Sequence, residues 1–193
     1  MIKHVFLTGP PGVGKTTLVQ KACEALVSSG VAAEGFYTEE VRESGRRVGF
    51  DVVTLDGKRG HLSRVRGNAG ASRGRREHVV GQYVVDLSSF ESLALPLFKN
   101  VVPAGGDRGK VFVIDEIGKM ELFSQSFVRA VRQALDNCSI LGSIPLPKDN
   151  PLGLVEEVRA RGDVKVFTVS KENRDVILQD IVSAVRDSLK QTA

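Results

Sequence analysis

Eight residues near the start of the chain, Gly9-Pro10-Pro11-Gly12-Val13-Gly14-Lys15-Thr16, match GxxxxGK[ST], and each residue type in that pattern has a task in holding phosphate. Glycines let the backbone turn tightly and come close to the phosphates, aiming successive N–H groups inward as an anion nest at a helix N-terminus. Lys15 is a point charge for β- and γ-phosphates, and Thr16 offers its hydroxyl to Mg²⁺. Thr17 either touches the α-phosphate or simply occupies the first helical turn. A glycine-rich turn that binds nothing is the bland alternative. It is disfavoured because an apolar strand precedes the motif and a helical pattern follows it.

The same chemistry needs a carboxylate at the end of a neighbouring strand, and Val111-Phe112-Val113-Ile114-Asp115-Glu116 supplies two. Asp115 fits the Walker B task of orienting Mg²⁺ or its waters. Glu116 is either a general base that polarises an attacking water or a solvated acid. Lys119 either stabilises charge developing on the phosphoryl group or is solvated. Asp115-Glu116-Ile117-Gly118 also fits DxxG, which in GTPase switches sets a backbone N–H against the γ-phosphate. That use needs a guanine reader, and Ser170-Lys171-Glu172-Asn173 carries an amide where two guanine donors require a carboxylate. Strict guanine specificity is disfavoured.

The elements that must position these residues follow from hydrophobic spacing. His4 to Thr8 reads as a buried strand and Lys15 to Ser28 as a helix, with Leu18, Ala22, Ala25 and Leu26 on one face and Gly30 ending it. Phe36 to Leu55 reads as a β-hairpin whose turn holds Ser44 and Gly45. Arg66 to Arg76 has no apolar period and reads as a mobile surface loop. Tyr83 to Leu87 reads as a strand, with Ser88 or Ser89 capping a helix that runs through Leu97. Pro103 to Gly109 is a second exposed connection. Val111 to Ile114 is apolar throughout, as in a parallel strand covered on both faces. Beyond it, helices at 124–135, 152–161 and 173–189 alternate with strands at 140–144 and 165–169, which predicts a parallel α/β sheet. With no repeat and no linker, the 193 residues are expected to form a single domain, 1–193.

Composition excludes several classes. An apolar share of 41% with 26% charged residues is a globular mixture, not that of disorder. No run approaches the 18 or so apolar residues of a membrane span, and the N-terminal apolar run is too short for a secretory signal. Cys23 and Cys138 form no metal-ligand spacing, which predicts a reducing, cytoplasmic location without separating a nuclear pool. The net charge of +4 is local. Lys58, Arg59, Arg64, Arg66, Arg73, Arg75 and Arg76 lie between Gly57 and Arg76 with no acid among them, so the rest of the chain is net negative. That patch lacks the interleaved aromatics that stack bases, which ranks nucleic acid low among expected partners.

Taken together, the Gly9–Thr16 loop, Gly35-Phe36-Tyr37-Thr38-Glu39-Glu40-Val41-Arg42, Arg47-Val48-Gly49-Phe50-Asp51, Ile114-Asp115-Glu116-Ile117-Gly118-Lys119-Met120-Glu121 and Asn173-Arg174 resemble the cancer-related nucleoside-triphosphatase family, whose prokaryotic members are thermophilic NTPases. The resemblance runs over nearly the whole chain. It implies a three-layer P-loop fold with a mainly parallel sheet, a β-hairpin insertion after the first helix, and an extra strand between the phosphate-loop and Walker B strands. It implies Mg²⁺-dependent hydrolysis of ATP, GTP, CTP and UTP, and the expected state is a monomer with no membrane partner. By the same resemblance Lys15, Glu116 and Lys119 are catalytic, Thr16 and Asp115 hold the metal, and Asn173 and Arg174 contact the base from the start of the last helix. On the residues alone, that last pair is equally a helix cap with a surface arginine, and the aromatic and acidic tract Phe36 to Arg42 lines the base or ribose pocket unless Phe36 and Tyr37 belong to the core. Any of Arg73, Arg75 and Arg76 could act as an arginine finger. The rival functions are a small-molecule or nucleotide kinase and a nucleic-acid-associated switch.

Overall fold

The computed structural model describes residues 1–67, 77–101, 109–147 and 152–190. The expected loop at 66–76 lies outside the described residues from 68 onward, taking Arg73, Arg75 and Arg76 with it. Most of the connection at 103–109 lies outside them too.

Nine strands form one sheet among the described residues: β1 (His4–Thr8), β2 (Ala32–Glu43), β3 (Arg46–Thr54), β4 (Arg59–Val65), β5 (His78–Val80), β6 (Tyr83–Val85), β7 (Lys110–Ile114), β8 (Ser139–Ser143) and β9 (Val164–Thr168). Their order is β5-β6-β4-β3-β2-β7-β8-β1-β9. From β2 to β9 neighbouring strands run parallel, and β8 stands between the phosphate-loop strand β1 and the Walker B strand β7. From β2 outward the pairing is antiparallel, so the expected hairpin is the root of a longer wing.

Among the described residues five α-helices cover the sheet: α1 (Lys15–Ser28), α2 (Leu87–Ala94), α3 (Gln125–Asn137), α4 (Gly153–Ala160) and α5 (Leu178–Lys190). Side chains alternate across a strand, and the two cores follow that alternation. Phe6, Phe112 and Ile114 enter one core with Phe127 and Val131 of α3 and Val155 of α4. Val5, Leu7, Val111 and Val113 enter the other with Leu18 and Ala22 of α1 and Ile181 and Val185 of α5. The result is three layers, with helices on both faces of the central strands.

Three expectations change and one open alternative closes. β4 and β5 were not anticipated, because Arg59-Gly60-His61-Leu62-Ser63-Arg64 shows little apolar alternation. Its arginines are instead spent on ion pairs, Arg59 and Arg64 each within 3.0 Å of the buried Asp51. Asp86, not Ser88 or Ser89, caps α2 by accepting the Ser89 N–H at 3.0 Å. The last helix starts at Leu178 rather than Asn173, because Asn173 and Ser170 close a turn on each other's backbone N–H at 2.8 and 3.2 Å. Phe36 is fully buried, edge-on to Phe90 and Phe127, and belongs to the core. No helix of the described residues is long and apolar enough to cross a membrane.

Candidate active site

The turn from β1 into α1 spends one N–H on itself, Val13 donating to the Pro10 carbonyl at 3.3 Å, and opens its helix start to a ligand. Gly14 at the N-cap has φ 109°, a conformation side chains rarely adopt, and no side chain caps the helix. The first turn also holds no acid, so its unpaired donors and the helix dipole face outward together. Gly9 is required by close approach, because a Cβ there would sit 2.6 Å from the Val169 carbonyl oxygen. Lys15 Nζ folds over the loop to donate to the Gly9 carbonyl at 2.7 Å and lies 3.7 Å from Glu116 Oε2.

Asp115 ends β7 with 1% of its surface exposed. Burial pushes its carboxyl up to about 6, against the opposing pull of the Ser143 and Thr16 hydroxyls. Oδ1 accepts the Ser143 hydroxyl from β8, whereas Oδ2 is buried with no hydrogen-bond partner. A buried, orphaned carboxylate oxygen beside a threonine hydroxyl fits a divalent cation. Among the described residues no group of three His, Cys, Asp or Glu could hold a metal alone. Such a cation would complete its shell with phosphates and water, the habit of Mg²⁺.

These groups open on a cleft of about 1130 Å³. Gly9, Pro11, Gly12, Gly14, Lys15, Thr16, Thr17, Asp115, Glu116 and Lys119 all line it. Pro10 is exposed beside it, and the Val13 side chain is turned into the core. Ile117 is fully buried with its N–H donated to the Ser143 carbonyl, and Gly118 N–H donates to Glu121 Oε2 at 3.1 Å. Neither N–H of that DxxG tract is free for a phosphate. Asn173 lies outside the cleft lining, and its amide holds its own turn through Ser170 N and the Thr168 carbonyl. Arg174 donates to the Val13 carbonyl at 3.3 Å, bracing the phosphate loop from outside.

The acidic hairpin reaches the cleft as one of its two readings had it, whereas local reasoning missed Arg47 and Phe50 of β3 and Ser143 of β8. Thr38, Glu39, Glu40, Arg47 and Phe50 form the cleft wall beyond Glu116. Arg47 is fixed there, donating to Tyr83 Oη at 2.7 Å and to Glu40 at 3.2 Å with its guanidinium over the Phe50 ring. Alternation along β2 marks one face, but only the sheet order turns that face toward the phosphate loop.

The chain matches the family described as NTPase over residues 4–182. It is similar to the cancer-related nucleoside-triphosphatase of Homo sapiens, at 63% identity over 98% of this chain and 100% of that protein. The solution structure of a human cancer-related nucleoside triphosphatase superposes with a TM-score of 0.83, covering 96% of this chain and 98% of that one at 63% identity. The crystal structure of THEP1 from the hyperthermophile Aquifex aeolicus gives 0.79 at 42% identity, covering 94% and 98%. With the phosphate loop, the buried aspartate and the inserted strand already in place, this chain belongs to the NTPase family.

Proposed function

We propose that the protein hydrolyses nucleoside triphosphates to the diphosphate and phosphate, acting as a cytoplasmic monomer with a single P-loop domain. The observation that carries this is the meeting of Glu116 with Lys15, 3.7 Å apart at the mouth of the Asp115 pocket. The open N-terminus of α1 binds the β- and γ-phosphates through backbone N–H groups, and Lys15 exchanges the Gly9 carbonyl for phosphate oxygens. Glu116 takes a proton from a water whose oxygen bonds to the γ-phosphorus, while the bridging oxygen leaves with the diphosphate. Lys15 and Lys119 meet the charge that develops on the transferred group. Thr16 and Asp115 would hold Mg²⁺, which when bound neutralises phosphate charge. Broad use of ATP, GTP, CTP and UTP is supported by Asn173, whose amide is committed to its own turn and reads no base.

The test is phosphate release from the four triphosphates with Mg²⁺. Glu116→Gln should bind them and turn over about a hundredfold more slowly, as loss of a general base typically gives. Lys15→Ala should lose binding. Unchanged turnover in Glu116→Gln would remove the assignment. One observation favours a second function, phosphoryl transfer to an acceptor: the cleft continues past Glu116 to the Arg47 and Phe50 wall. Acceptor-dependent diphosphate release exceeding phosphate release would establish that function instead.

A further inference from the structure

Three acids are buried among the described residues: Asp51, Asp115 and Glu121. Asp51 is answered by Arg59 and Arg64, and Asp115 by the cation pocket. Glu121 has no ion pair among the described residues, and nothing in the proposed phosphate chemistry uses it. Its Oε2 accepts the Gly118 N–H at 3.1 Å. A Cβ on Gly118 would lie 2.6 Å from Glu116 Oε1 and 2.9 Å from Glu121 Oε2, so the two carboxyls converge over the bare Cα of that glycine. The other oxygen of Glu116 faces Lys15.

We propose that Glu121 is a positioning residue for Glu116: anchored on the Gly118 N–H, its carboxyl braces Glu116 Oε1 so that Oε2 is directed at the phosphate loop. The inference rests on Glu116 being the general base. Burial, aided by the charge of Glu116, raises the Glu121 carboxyl well above the ordinary carboxylate range, so Glu121 is the neutral member and has a proton to offer its neighbour. Gly118 is required because any side chain there would wedge the pair apart, and its N–H is already spent on the anchor.

The experiment is a double-mutant cycle read in single-turnover kcat. Glu121→Met keeps the volume but removes the polar contact, and it should lower kcat about ten- to a hundredfold, as misplacement of a reacting group does, with KM and nucleotide affinity unchanged. Glu121→Gln keeps an oxygen for the Gly118 N–H but carries no proton on the oxygen that faces Glu116, so it should recover only part of that loss. In the Glu116→Gln background the Met substitution should cost nothing further, because a residue that acts through Glu116 has nothing left to act on. Gly118→Ala leaves both acids in the sequence but crowds their carboxyls apart, and serves if the Met variant does not fold. Wild-type kcat in both Glu121→Met and Gly118→Ala, or an equal loss in the presence and absence of Glu116, would overturn the proposal. If Glu116→Gln is itself as fast as wild type, the general-base assignment fails first. If only the Glu121 and Gly118 variants are silent, that assignment stands and this inference alone falls.

Discussion

Ser143, the last residue of β8, donates its hydroxyl to Asp115 Oδ1 on β7, so the strand inserted between β1 and β7 supports the carboxylate that faces the phosphate loop. The register explains the contact: Ile114 pairs with Gly142, which leaves Asp115 and Ser143 side by side where the two strands end. Asp115 Oδ2 is already without a partner among the described residues, so removing the hydroxyl leaves the buried carboxyl only the neighbouring Thr16 hydroxyl. Ser143→Ala should therefore lower stability by about 1–3 kcal/mol, the cost of an unsatisfied buried group. Denaturant unfolding without nucleotide measures it, and an unchanged midpoint would show that the hydroxyl contributes nothing.

His4 predicts a pH effect on stability. Its ring is fully buried, with Nε2 donating to the Leu135 carbonyl at 2.8 Å and Nδ1 accepting the Ile140 N–H at 3.2 Å. Accepting at Nδ1 needs the neutral ring, and burial holds its pKa down at about 4, although the Leu135 carbonyl and Asp163, 3.8 Å away, favour the charged form. An unfolded chain takes up this proton near pH 6.5 and the folded one only near 4. The contribution is therefore complete above pH 6.5 and is lost as the pH falls from 6.5 to about 4, some ~3 kcal/mol in all. His4→Phe should flatten the stability curve in that window by about 1.4 kcal/mol per pH unit relative to wild type. Parallel curves for the two proteins would contradict it.

Arg174 braces the phosphate loop at the Val13 carbonyl and packs 4.0 Å from where a Gly14 Cβ would be. A group that supports the loop acts on every triphosphate alike. Arg174→Ala should raise KM for ATP, GTP, CTP and UTP by one common factor of about threefold to tenfold, equivalent to about 0.7–1.4 kcal/mol of one hydrogen bond. A loss confined to purines would instead make Arg174 a base contact.

The two phenylalanines of the wing should separate stability from turnover. Phe36 is enclosed by Phe90 and Phe127, with ring centroids 5.9 and 6.0 Å away. Phe36→Ala should cost about 3–5 kcal/mol by cavity formation, with relative rates on the four triphosphates unchanged in the molecules that remain folded. Phe50 lines the cleft under Arg47, 5.1 Å from its guanidinium carbon. Phe50→Ala should change KM or kcat with a smaller effect on the melting temperature. The reverse pattern would place the functional aromatic at 36.

What could be read along the chain was whatever a few neighbouring residues decide. The phosphate loop is a local pattern of glycines, lysine and threonine, and its flanking strand and helix were expected at their observed limits, His4–Thr8 and Lys15–Ser28. Asp115 and Glu116 were legible because an apolar strand covered on both faces ends abruptly in two acids. The start of α5 was misjudged because Asn173 is as good at closing a turn as at opening a helix, and only the Ser170 partnership distinguishes the two.

The sequence by itself determined that one turn could hold phosphate and that one strand end could present carboxylates, since periodicity and spacing settle such features within about ten residues. Only the tertiary structure decided that Ser143 supports Asp115 across a parallel register, that Arg47 and Phe50 wall the far end of the cleft, and that Glu121 meets Glu116 over Gly118. Most of these are contacts between residues tens of positions apart, created when strands pair in one order rather than another. Even the short-range placement of Glu121 depends on burial, because the exclusion of water is what raises its carboxyl well above the ordinary carboxylate range.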